Sequence, residues 1–135
     1  MNTLPTFMII DDDDIDVMSM KRSLSTLSEK TDVIVARNGN ESLALLEQPE
    51  YEKKTMILLL DLNMPQMSGC EFLRNLNSRD NIKNKLVFVV STSTDQNDIQ
   101  SALKAKVAGY ISKEKVATPA FTRLFDSYIS TCCFP

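Results

Sequence analysis

Histidine is absent from the chain. Without imidazole there is no His-based metal site, no Ser-His or Cys-His nucleophile pair, and no phosphohistidine formed by the chain itself. Any phosphohistidine must come from a partner. Cysteine is sparse: Cys70, Cys132 and Cys133 show no metal-like spacing, and two are neighbours, which fits free thiols in a reducing compartment rather than a disulfide framework. No apolar run approaches the ~20 residues that span a bilayer. The opening "MNTLPTF" has neither the basic start nor the long apolar stretch of a signal peptide. A cytoplasmic protein without a membrane partner is expected. Excess positive charge is missing too, since 15 Lys and Arg face 18 Asp and Glu for a net charge of -3 and a pI near 4.9. The tightest basic clusters are Lys21-Arg22 and Lys104/Lys106, so no nucleic-acid-binding face is expected.

What the 135 residues do contain, 43% hydrophobic and 24% charged, is enough for one domain with a full core. Five apolar runs read as strands: "FMII" (7–10), "VIVA" (33–36), "MILLL" (56–60), "LVFVV" (86–90) and "AGYIS" (108–112). A helical pattern follows each. Val17, Met20, Leu24 and Leu27 recur at helical spacing after the first, and Leu43 and Leu46 do so beyond the Asn38-Gly39 turn. "SGCE" (68–71) and "STDQ" (93–96) have capping-box form, and Thr118-Pro119 reads as an N-cap and first helical residue. Strict alternation with near-continuous apolar strands predicts an α/β domain over 1–135, its parallel sheet covered on both faces, with no linker, repeat or second domain.

In a parallel sheet the strands all end on one edge, where ligands bind. Asp11 and Asp12 follow the first run, Asp61 the third and Ser91 the fourth, and Lys113 lies just past the fifth. Three carboxylates, a hydroxyl and an ammonium therefore share one crevice. Carboxylates so gathered oppose each other's ionisation unless a cation intervenes, and a hard, oxygen-only set selects Mg²⁺, or Mn²⁺ in its place. Mg²⁺ takes only one or two carboxylates, so "DDDD" (11–14) cannot all be ligands; Asp13 and Asp14 read as loop or N-cap residues, and Asp14 or Asp16 favours the helix start through its dipole. Taken alone, "DDDD" also reads as a solvated helix-entry turn. A calcium loop fails, because Val17 stands at its glycine and Ser23 at its final glutamate.

These residues resemble the receiver domain of two-component response regulators over nearly the whole chain. "IIDDD", "LLLDLNMPQMSG" (58–69), "VVSTS" (89–93) and "GYISK" (109–113) carry the resemblance in the family's order, and "DDDDIDVMSMKRSL" is similar to single-domain regulators found beside bacterial phytochromes. The resemblance implies a flavodoxin-like, doubly wound five-stranded sheet of order 2-1-3-4-5. It implies Asp61 as phosphoacceptor, attacking a phosphohistidine on a sensor histidine kinase or phosphotransfer protein. Asp11 and Asp12 match the acidic pair that holds Mg²⁺ with Asp61, and Asn63 the position whose backbone carbonyl joins them. Lys113 and Ser91 match the groups that bind the phosphoryl oxygens. Tyr110 matches the aromatic switch that reshapes the face of the fourth helix, fifth strand and fifth helix. With no output domain expected, the signal passes to a separate target, the receiver being a monomer or a phosphorylation-dependent dimer, and a relay, a switch and a phosphate sink all fit.

Two rival readings are weaker. Haloacid-dehalogenase-type phosphatases use D-x-D after the first strand, whereas "DLN" follows the third and puts Asn63 at the second aspartate. A binding module that signals without phosphate would have no need of the acidic and basic residues retained here. One position departs from the family: Glu114 stands where a proline joined through a cis bond usually follows the lysine. A cis bond between non-proline residues costs ~3–4 kcal/mol, so Lys113-Glu114 is expected to be trans, with Glu114 placed to compete for Lys113.

Overall fold

A computed structural model describes residues 4–92 and 96–131. The five apolar runs form β1 (Thr6–Ile10), β2 (Val33–Ala36), β3 (Met56–Leu60), β4 (Leu86–Ser91) and β5 (Gly109–Ser112), all parallel, in the order β2-β1-β3-β4-β5. Between and after them run α1 (Asp14–Leu24), α2 (Gly39–Leu46), α3 (Pro49–Glu52), α4 (Gly69–Asn77), α5 (Gln96–Lys104) and α6 (Pro119–Thr131). The sheet order and strand positions agree with expectation to within a residue at each strand end. One element was not foreseen: α3, a single turn opened by a proline and carrying no buried side chain.

Every residue of β1 and β3 is buried, as their unbroken apolar runs require of strands covered on both sides. Successive side chains point to opposite faces. Phe7, Ile9, Ile57, Leu59, Phe88 and Val90 pack against α1 and α6, while Met8, Ile10, Leu58, Leu60 and Val87 pack against α2 and α4. On the first face Phe125 stands edge-on to the rings of Phe7, Phe88 and Phe121, at centroid distances of 5.4, 5.1 and 5.0 Å. These contacts fix α6, and with it the turn at Lys113–Lys115 that joins β5 to α6.

Local chemistry sets the helix starts. Asn38 and Ser68 accept hydrogen bonds from the Glu41 and Glu71 amides, so the predicted "SGCE" cap is realised. Ser93, Thr94 and Asp95 of "STDQ", and Cys132 and Cys133, lie outside the described residues. At the sheet edge where the strands begin, the buried Lys85 ammonium donates to the Tyr51, Glu52 and Lys54 carbonyls at 2.7, 2.9 and 2.6 Å, tying the end of α3 and the turn after it to the start of β4. Burial pushes that ammonium below its ordinary pKa, with Glu52 opposing. No helix among the described residues is long and apolar enough to cross a membrane.

Candidate functional site

The two central strands decide the site. Asp11 and Asp61 continue the ladder past β1 and β3, their amides donating to the Ala36 and Ile10 carbonyls at 3.1 and 3.0 Å. Their carboxylates are thereby forced side by side at the strand ends, with Asp11 fully buried and Asp61 5% exposed. Asp12, the next residue, is exposed, yet one oxygen from each of Asp11, Asp12 and Asp61 lies within 4.8 Å of the others. Sequence spacing brought these three together, and the fold does the same.

The rest of "DDDD" divides as its position in the helix entry requires. Asp13 is the N-cap of α1 and accepts from the Ile15 and Asp16 amides at 2.8 and 3.2 Å. Its own amide donates to Asp11 Oδ1 at 2.9 Å. Asp14 pairs with Arg37 on the surface. Beyond β3 the Asn63 amide donates to Asp61 Oδ1 at 3.1 Å, and a tight turn closes at Gln66 (φ 69°), where the Met67 amide donates to the Pro65 carbonyl at 2.8 Å.

Lys113 enters from the end of β5. Its ammonium lies 3.3 Å from Asp61 Oδ2 and 3.0 Å from Asp11 Oδ2, with the side chain only 11% exposed. A third acid, Asp16, is nearer still and accepts a hydrogen bond at 2.6 Å. Sequence reasoning assigned Asp16 to the helix dipole and missed this pair, because nothing in local spacing links residue 16 to residue 113. Glu114, expected to compete for Lys113, is exposed, and its amide turns back to Ser112 Oγ at 3.4 Å. The place foreseen for it is held by Asp16. No peptide bond among the described residues is cis, so Lys113-Glu114 is trans as expected. Ser91 is buried at the end of β4, in register with Ser112. Tyr110, in register with Val89, is half-buried against Leu62, Val89 and Ala102.

Burial dominates the electrostatics of the two inner acids. It raises the Asp11 carboxyl above its ordinary pKa despite the Asp13 amide and Lys113, and raises Asp61 likewise, with the charge of Asp11 adding to the rise. Burial alone would lower Lys113, but Asp16, Asp11 and Asp61 together raise it. One ammonium is shared among three carboxylates: among the described residues the buried Asp11 Oδ2 has the 3.0 Å ion pair with Lys113 as its polar contact. Three carboxylate oxygens within 4.8 Å, sharing a single ammonium, are a donor set that fits a hard divalent cation.

A family model for the response regulator receiver domain matches residues 7–120. The response regulator Rcp1 of Synechocystis is 27% identical over 117 residues, covering 84% of this chain and 80% of its own. A chemotaxis protein CheY homolog of Campylobacter jejuni is 30% identical over 106 residues, 78% of each chain. Among solved structures, the Mn²⁺-bound form of Rcp1 superposes with a TM-score of 0.80 at 24% identity, over 97% of this chain and 99% of the other. The phosphorylated cyanobacterial phytochrome response regulator RcpA also gives 0.80, at 24% identity over 96% of each. With strands in the order 2-1-3-4-5 and the acidic residues at the strand ends, this chain belongs to the response regulator receiver domain family of two-component signalling.

Proposed function

We propose that this receiver takes a phosphoryl group onto Asp61 from a phosphohistidine on a sensor histidine kinase or histidine phosphotransfer protein, in the cytoplasm. The observation that carries the reading is the meeting of three carboxylates within 4.8 Å beside an ammonium 3.3 Å from Asp61. Asp11, Asp12, Asp61 and the Asn63 backbone carbonyl hold Mg²⁺, or Mn²⁺ in its place. A bound cation supplies neutralisation of the clustered carboxylates and of the phosphoryl oxygens. An Asp61 oxygen attacks phosphorus as the P–N bond breaks, and the departing imidazole nitrogen keeps the electron pair and takes up a proton. Lys113 offsets the charge that remains. Ser91 donates its hydroxyl to a phosphoryl oxygen, and Tyr110 follows its loop inward. The altered surface, α5, β5 and α6, is offered to a separate target protein or to a second phosphorylated copy.

In cation-free protein Asp11 and Asp61 have folded pKa values raised above 3.8. Their contribution to stability is therefore full below about pH 3.8 and is lost as pH rises through the folded values. Mg²⁺ reverses the sign by favouring both charged forms. Carboxyl-carbon NMR titration should place both groups above 3.8 in chelator and below it in saturating Mg²⁺. At neutral pH Mg²⁺ should raise the melting temperature of the wild type far more than that of Asp12→Ala. An equal rise in the two proteins would remove Asp12 from the site.

The function itself is tested with acetyl phosphate. The expected result is one added phosphoryl group per chain, mapped to Asp61 by mass spectrometry, dependent on Mg²⁺ and abolished by chelator. No label, or steady turnover of a small phosphoester with none retained, would refute the reading.

A further inference from the structure

We infer that Asp16 is the positioning residue for Lys113, holding its ammonium over Asp61 in place of the proline-fixed backbone usual in this family. The inference rests on the reading of Asp61 as phosphoacceptor. At the third position of α1, an acid commonly reaches back to the amide of the N-cap residue. Here that amide, of Asp13, is already bound to Asp11 Oδ1 at 2.9 Å, so the Asp16 carboxylate is released from capping and turns across to Lys113. The resulting contact, 2.6 Å, is shorter than those to Asp11 (3.0 Å) and Asp61 (3.3 Å).

Asp16 also differs from the other two in kind. Asp11 and Asp61 belong to the group within 4.8 Å that fits a cation, whereas Asp16 stands outside it. When those two turn to a cation and a phosphoryl group, Asp16 still has a free carboxylate for the ammonium. An ammonium has three N–H donors, so it can keep Asp16 while offering the others to the phosphoryl oxygens. The anchor sits on a helix whose buried face, Val17, Met20 and Leu24, is locked into the core. The lysine backbone, by contrast, begins a short turn that ends in exposed Glu114 and Lys115.

The test is a double-mutant cycle on Asp61 phosphorylation by acetyl phosphate in saturating Mg²⁺, using Asp16→Asn, Lys113→Ala and the pair, with circular dichroism confirming the fold. Asp16→Asn should slow labelling about tenfold, since a misplaced charged group forfeits much of its effect on the transition state. In the Lys113→Ala background the same change should have no further effect, and Asp16→Glu should recover part of the rate. Unchanged or faster labelling in Asp16→Asn, or an undiminished effect without Lys113, would overturn the inference. A wild type that takes no label at all would instead refute the assignment of Asp61.

Discussion

Asp61→Asn should take up no phosphoryl group from acetyl phosphate under conditions that label the wild type to completion. The carboxamide is not a nucleophile toward phosphorus at neutral pH, and no neighbouring acid can replace it. Asp11 lies near Lys113 but is fully buried, which denies it an in-line approach; Asp12 is exposed but makes no ion pair with Lys113; Asp16 pairs with Lys113 but stands outside the cation group. Asp61 alone joins contact with Lys113, membership of that group and a residual exposure of 5%, against none for Asp11. The same substitution removes one of two carboxyls that raise each other's cost of ionisation. In chelator at neutral pH Asp61→Asn should therefore melt above the wild type, and Mg²⁺ should narrow or reverse the gap. Label retained on the variant would place the nucleophile elsewhere.

Gly69→Ala should damage fold and chemistry together. A Cβ at this position, the first residue of α4, would sit 2.6 Å from Leu62 Cα and 2.9 Å from the Asp61 carbonyl oxygen. Both are backbone atoms, and the Gly69 amide is itself bound to the Leu62 carbonyl at 3.0 Å, so neither side can yield without moving the segment that carries Asp61. Overpacking of this kind costs about 3 kcal/mol. For a domain of this size that lowers the melting temperature by roughly 10 °C. A shift of the acceptor by about 1 Å should slow phosphorylation about a hundredfold. Thermal unfolding and the labelling assay read the two effects separately, and a variant that matches the wild type in both would show that the loop has room the structure does not indicate.

The two outcomes differ in how visible their causes are in the sequence. Strands buried on both faces announce themselves as unbroken apolar runs, which is why β3 is read to the residue, and residues just past such runs fall at one sheet edge by topology alone. Asp11, Asp12, Asp61, Ser91 and Lys113 were legible for that reason. The role of Gly69 emerges only when α4 is folded back on Leu62. Asp16 and Lys85 were illegible for a related reason. Each is a charged residue with an ordinary solvated reading, and each is committed to partners far along the chain, Asp16 to Lys113 and Lys85 to three carbonyls near residue 52. The helix α3 escaped because a single turn carries too few apolar positions to show a period. Glu114 was misjudged from adjacency: being next to the lysine in sequence does not bring its side chain to the ammonium.

The strand order also dictates how the chain finds this structure. β1 lies between β2 and β3, so Phe7 meets Val33 on one side while Thr6 must meet Met56 on the other, across all of α1, β2, α2 and α3. Later pairings are more local, Ile57 with Leu86 and Phe88 with Gly109, and each adds a strand outward to one already placed. The largest loop-closure entropy in the sheet therefore falls on the β1–β3 pairing, which joins its two halves. That same pairing sets Asp11 beside Asp61. The pairing that closes the longest loop in the sheet is thus the one that brings the two buried acids together, and until it is made the chain has no place for a cation to bind.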